Sequence, residues 1–169
     1  VKRKEIIDGS KIYPGDLILG LPSSGLHSNG YSLVRRVFKS RRDLSQFGRA
    51  LLAPTHIYAD EVTALKKALR DAEGIILGLA HITGGGLVEN IPRILPRGRK
   101  AVLHKDAWKP HPLFREIQRR GNVPEREMWR TFNMGLGLII VIRPDSLAVA
   151  QKALPEARVV GEIFSGKHE

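Results

Sequence analysis

The chain of 169 residues contains no cysteine. That removes disulfides, thiolate metal sites and thiol nucleophiles together, and it fits a reducing compartment, with the cytoplasm as the expected location. No apolar run approaches the roughly 20 residues needed to cross a bilayer, so no membrane partner is expected. The charged start Val1-Lys2-Arg3-Lys4-Glu5 leads into Ile6-Ile7-Asp8-Gly9 instead of a signal-peptide core. Acidic residues are scarce, 17 Asp and Glu against 28 Lys and Arg, for a formal net charge of +11. This balance suits phosphorylated metabolites, nucleic acid or an acidic protein surface. The cations are dispersed in small clusters such as Arg35-Arg36 and Arg97-Gly98-Arg99-Lys100. None alternates with aromatics as a base-stacking platform would, so nucleic acid is not the expected partner. Repeats and low-complexity segments are absent, and the length suits one domain with a sizeable core.

Several catalytic fingerprints are missing too. Gly20 and Gly25 have the spacing of a Walker loop, but Leu26-His27 follow where Lys and Ser or Thr are required. Gly84 and Gly86 would continue a dinucleotide fingerprint only with glycine at 89, where Glu89 stands. A hydrolase elbow cannot be laid over Gly20-Leu21-Pro22-Ser23-Ser24-Gly25. His56, His104, His111 and His168 share no metal-binding spacing, and no metal site is expected.

Two polar loops stand out against these absences. Asp16-Leu17-Ile18-Leu19-Gly20-Leu21 reads as a buried strand. It feeds Ser23-Ser24-Gly25-Leu26-His27-Ser28-Asn29-Gly30, after which Tyr31, Val34 and Phe38 recur at helical spacing with Asn29 or Ser28 as N-cap. Ile75-Ile76-Leu77-Gly78-Leu79-Ala80 is a second strand-like run, ending in His81-Ile82-Thr83-Gly84-Gly85-Gly86 before a short helix stopped by proline. Consecutive glycines let a ligand approach the backbone, and their N–H groups can cradle an anion. A large residue at Gly85 is therefore expected to block anion binding without disturbing the fold. His27 and His81 are candidates for phosphoryl contact or proton transfer, against the alternative that each merely fixes its own loop. Asn90 either contacts ligand or caps its helix, and Asn133 with Gly135 suits a tight turn.

The remaining pattern alternates helices and strands. Tyr58, Val62, Leu65 and Leu69 make one helical stripe, and Leu113, Phe114 and Ile117 mark a helix ended by Gly121. Pro124-Glu125-Arg126-Glu127-Met128 begins a further helix, and Leu147, Ala150 and Leu154 mark the last. Leu136 to Ile142 is apolar throughout and reads as the central strand, with Ala101-Val102-Leu103-His104 and residues 158–163 as further strands. Residues 40–45 read as irregular. The expected fold is a layered α/β domain with a mixed sheet, residues 1–15 serving as a linker arm outside the core.

Several blocks in fixed order carry a resemblance. They are Gly15-Asp16, the Ser23 to Arg35 run, Leu52-Ala53-Pro54-Thr55-His56-Ile57-Tyr58, the His81 to Arg93 run, and Glu127-Met128-Trp129-Arg130-Thr131-Phe132-Asn133-Met134-Gly135. Together they resemble the C-terminal half of the phosphoribosylformylglycinamidine cyclo-ligase (aminoimidazole ribonucleotide synthetase) family of purine biosynthesis. The resemblance implies an ATP-dependent ligase: ATP activates the formamide oxygen of formylglycinamidine ribonucleotide, the amidine nitrogen closes the imidazole ring, and ADP and phosphate leave. It implies a three-layer α/β/α domain with a mixed sheet, and a substrate face made of Ser23, Ser24, Gly25, Ser28, Asn29, Gly30, Thr83, Gly84, Gly85, Gly86 and Asn90, with His27 and His81 as the catalytic candidates. The acidic and glycine-rich blocks of the family's N-terminal half, which would bind most of the ATP and Mg2+, have no counterpart here. Residues 1–15 then read as an inter-domain linker and 16–169 as the C-terminal synthetase domain, inactive alone, with the N-terminal domain as partner and a homodimer expected for the full-length enzyme. The alternatives are another synthetase of the same superfamily, of the formylglycinamidine synthetase, selenophosphate synthetase or thiamine-monophosphate kinase type, or a non-catalytic basic domain that binds nucleic acid.

Overall fold

The computed structural model describes residues 6–166. Its spine is β4, Leu136–Ile142, whose seven residues are all buried. Side chains alternate across a strand: Leu138, Ile140 and Ile142 enter one apolar cluster, Ile139 and Val141 the other. This is why the segment is apolar without interruption. β1 (Leu17–Pro22) and β2 (Gly78–His81) pair with β4 on its two sides, while β5 (Arg158–Ser165) follows β1 and β3 (Arg99–Leu103) forms the far edge. The order is β2-β4-β1-β5-β3.

Helices cover both faces. α1 (Tyr31–Val37), α2 (Arg41–Leu51), α4 (Gly86–Asn90), α5 (Pro112–Gly121) and α6 (Glu125–Thr131) contribute Val34, Leu51, Leu87, Leu113, Phe114, Ile117 and Met128 to one cluster. α3 (Ala59–Asp71) and α7 (Leu147–Ala153) contribute Leu65, Leu69 and Ala150 to the other. The three-layer α/β/α arrangement is therefore present. The sheet, however, is antiparallel at every pairing instead of mixed. Reading strand-helix alternation as parallel units assumes that successive strands become neighbours. Here β1 and β2 do run the same way, but β4 is inserted between them.

Local signals account for three further departures. Residues 40–45 are not irregular: the Ser40 hydroxyl accepts from Asp43 N while the Asp43 carboxylate accepts from Ser40 N, a reciprocal box that starts α2. α1 is capped by Gly30 in a left-handed conformation with no side-chain cap bond, not by Ser28 or Asn29; the Asn29 Nδ2 donates instead to the carbonyls of Leu26 and His27. α5 ends on left-handed Asn122, one residue beyond Gly121.

The linker arm is not wholly outside the core either. Ile12 is 1% exposed and packs with the β1–β4 cluster. Buried Asp16 holds the segment in place, one oxygen accepting from Tyr13 N at 2.7 Å and the other from the Arg143 guanidinium at 2.9 Å. Among the described residues no helix is long and apolar enough to cross a membrane.

Asp16→Ala strips two charge-assisted bonds from a buried site, and we expect a loss of about 2 kcal/mol in chemical denaturation with an unchanged denaturant slope.

Candidate active site

Because β1 and β2 run in the same direction, both leave the sheet at one end, and the two polar loops converge there. Asn133 shapes the first loop across the fold. Fully buried, it donates from Nδ2 to Gly25 O at 2.8 Å, and its Oδ1 accepts from the Ser23 hydroxyl at 3.1 Å and from Gly135 N at 2.8 Å. Ser23 N donates in turn to Gly135 O. Asn133 thus does more than form a turn. The loop's backbone is strained where it bends: His27 and Ser28 have φ of 50° and 61°. Such values for non-glycine residues cost on the order of 1–3 kcal/mol and persist only where surrounding bonds impose them.

His27 is 4% exposed. Its Nε2 lies 3.0 Å from Ser24 N and 3.3 Å from His56 N, both donating toward it, and 3.0 Å from the Ser24 hydroxyl, which also reaches Pro54 O at 2.6 Å. Its Nδ1 is buried with no protein partner among the described residues. Burial, with His81 and His56 as neighbouring cations-to-be, lowers its pKa to about 4. The Tyr58 ring lies 6.1 Å from that of His27 and 6.2 Å from that of His81, and the His27 and His81 rings are 6.2 Å apart. Tyr58 donates to Pro22 O at 2.7 Å, and burial raises its pKa far above the ordinary phenol value. The exposed His56 ring stands edge-on to Tyr58 at 4.6 Å and meets Glu61 of α3 at 2.5 Å. His81, at the end of β2, is exposed.

The glycine loop is braced from inside. Buried Asn90 donates to the carbonyls of Thr83, Gly84 and Gly86, while its oxygen accepts from the Thr83 hydroxyl and from Arg93, both at 3.2 Å. Gly86 has no room for a side chain, since a Cβ would strike the Trp129 carbonyl. Gly85 is left-handed at φ 96°, and a Cβ there would sit 2.7 Å from the Glu89 carboxylate. A large residue at Gly85 therefore strains the loop itself, contrary to the expectation from sequence. Gly84 is the permissive position, with only Asn29 Oδ1 near, at 4.0 Å from a Cβ. Among the described residues, the N–H groups of Gly84 and Gly85 have no acceptor, and the exposed Ser28 hydroxyl has no partner. A groove of about 460 Å3 begins at Gly30 and Tyr31, and another of about 790 Å3 lies beside α4 between Val88, Trp108 and Trp129.

Every residue expected at the site from sequence lies on these two loops, at the end of β2 or on α4. His56, Tyr58, Glu61 and Asn133 are additional. The Leu52 to Tyr58 block contained the first two and the Glu127 to Gly135 block Asn133, but nothing local ties Asn133 to Gly25, 108 positions away. Among the described residues no group of three His, Asp or Glu side chains is placed to hold a metal ion. Glu61 is paired with His56 and Glu89 with Arg130.

The fold is that of a known α/β class: E. coli HypE, a hydrogenase maturation protein, superposes with a TM-score of 0.55 at 19% identity, covering 94% of this chain and 47% of that one. Residues 13–169 match the family described as AIR synthase related protein, C-terminal domain, and the chain belongs to it. Its curated relatives carry the name phosphoribosylformylglycinamidine cyclo-ligase. The protein from Desulfitobacterium hafniense (strain DSM 10664 / DCB-2) is 46% identical over 180 residues, covering 100% of this chain and 51% of that protein. That of Thermoanaerobacter sp. (strain X514) is 45% identical, covering 99% and 52%, and the chloroplastic one of Arabidopsis thaliana is 44% identical, covering 99% and 45%. The chain thus spans about half the length of the curated relatives it matches.

The buried imidazole has a consequence for stability. Its folded pKa of about 4 lies below the ordinary 6.5, so the unfolded chain takes up this proton first as pH falls. Stability is lost between about pH 6.5 and pH 4, by up to about 3 kcal/mol. His27→Gln should remove this increment, which urea unfolding of both proteins across that range would reveal as a smaller acid-side slope for the variant. Asn133→Ala should cost about 2 kcal/mol and speed amide exchange at Ser23 and Gly135 before other sites.

Proposed function

We propose that this chain forms one wall of the active site of a phosphoribosylformylglycinamidine cyclo-ligase, a C–N bond-forming enzyme using ATP and formylglycinamidine ribonucleotide. The observation that carries the reading is the meeting of the two loops at one end of the sheet, where Gly84 faces Asn29 and the N–H groups of Gly84 and Gly85 are unbonded. In this reaction the formamide oxygen takes the γ-phosphoryl group, the amidine nitrogen attacks the activated carbon, and phosphate departs with the C–O electron pair. Charge gathers on phosphoryl oxygens, and preorganised donors at those oxygens stabilise it without a covalent nucleophile.

Within the chain the roles divide. Ser28, Gly84 and Gly85 contact the phosphoryl or ribose phosphate oxygens, Asn29 lines the wall opposite Gly84, and exposed His81 reaches the reacting formamide. Ser23, Ser24, Thr83 and Asn90 spend their polar atoms on the loops themselves and shape the wall. Gly25, Gly30 and Gly86 admit the close packing behind it; a Cβ at Gly30 would strike the Phe132 ring. Most of the ATP and the Mg2+ ligands come from an N-terminal portion of the kind the longer relatives have room for, which also forms the homodimer. The cytoplasm, or a plastid as in the Arabidopsis relative's name, is the compartment for such an enzyme.

Gly84→Leu in the full-length enzyme tests the wall. It fills the space between the loops without demanding a left-handed backbone, so we expect kcat/KM for ring closure to fall about 100-fold with little change in melting temperature. Near-wild-type turnover would remove the glycine loop from the site. Formylglycinamidine-dependent ADP release by the unmodified enzyme, and none by residues 1–169 alone, is the accompanying expectation.

A further inference from the structure

The three imidazoles at this end of the sheet are chemically unequal, and His27 is the one whose bonding is fixed. Two backbone N–H groups from different segments, Ser24 and His56, point at its Nε2. Backbone hydrogens cannot be redirected, whereas the Ser24 hydroxyl can turn toward Pro54 O. A proton on Nε2 would face both donors, so the lone pair must sit there and the ring proton on Nδ1. A second proton would convert Nε2 from acceptor to donor and break the two backbone hydrogen bonds that tie this ring to the two segments.

We infer that His27 is a positioning residue, a neutral acceptor that locks the 23–30 loop to the 52–58 segment, and that it carries no proton in the reaction. The inference rests on the proposed function for its activity readout alone; the tautomer can be read independently. The groups facing the ring disfavour a charge there. His56 comes from the adjoining segment and His81 from β2, both cationic when protonated, and Tyr58 is held neutral by burial. Glu61, the nearby carboxylate, is engaged by His56. The strained backbone at His27 and Ser28 fits this role, because the clamp on Nε2 holds the bend that brings Ser28 and Asn29 to face the glycine loop. Proton transfer, where the chemistry needs it, falls to the exposed imidazoles.

The test compares His27→Gln with His27→Leu in the full-length enzyme, together with 15N NMR of the unmodified ring. Gln places an oxygen where Nε2 stands and can accept from both N–H groups, but it cannot titrate. A lock predicts that Gln keeps kcat/KM within about tenfold of wild type with the same pH profile, while Leu loses about 100-fold. A proton carrier predicts that both fall by 10²–10⁴-fold, roughly the value of general acid–base catalysis, and that the profile loses a limb. In the NMR spectrum Nε2 should show the shift of an unprotonated nitrogen from pH 8 to pH 5. Titration near pH 6.5, or an Nε2–H tautomer, overturns the inference. Should Leu fail to fold, Gln and the spectrum still decide it; should the wild-type enzyme show no ring closure, the proposed function falls and the spectrum alone rules on the lock.

Discussion

The structure depends on one constraint: β4 must be buried on both faces and bonded on both edges. Seven consecutive apolar or glycine residues cannot face water, and the chain satisfies them by laying β1 and β2 along either side and helices above and below. With both neighbours antiparallel to β4, their exits fall at the same end. The site is a by-product of that geometry. Two loops distant in sequence become adjacent because a third strand lies between the strands that carry them.

The loops keep their shapes because buried side chains occupy their backbone groups. Asn133 serves the first loop, Asn90 the second, and His27 joins the first to the segment before α3. Each brings several bonds to one buried polar group, the condition under which such groups rigidify a fold instead of weakening it. Among the described residues the N–H groups of Gly84 and Gly85, the Ser28 hydroxyl, the exposed His81 ring and the buried His27 Nδ1 are left without a hydrogen-bond partner. A surface with its internal demands met and a few donors left over is suited to phosphoryl oxygens.

Much of this was legible in the sequence. Leu136 to Ile142 announced a central strand through unbroken apolarity, and the stripe Leu65, Leu69 announced α3. Both polar loops were located from residue type alone, and the family was recognised from blocks that the comparisons bear out. Strand direction was not legible, because alternating helices and strands do not say which strands become neighbours. The capping box of Ser40 and Asp43 was overlooked among charged residues whose pattern carries little apolar signal. Asn133 could not be read as a clamp, since the partners it holds in the first loop, Ser23 and Gly25, lie 110 and 108 positions away. Ser23, Ser24, Thr83 and Asn90 were placed on the substrate face by the resemblance; the bonds they make inside the protein were not legible in the sequence.

The most direct measurement of the central claim is hydrogen–deuterium exchange of the full-length enzyme with and without ATP and formylglycinamidine ribonucleotide. If the two loops form one wall, residues 23–30 and 81–86 gain protection together on ligand binding, with the 52–58 segment following. Protection confined to one loop, or to the groove beside α4 near Trp108 and Trp129, would contradict it.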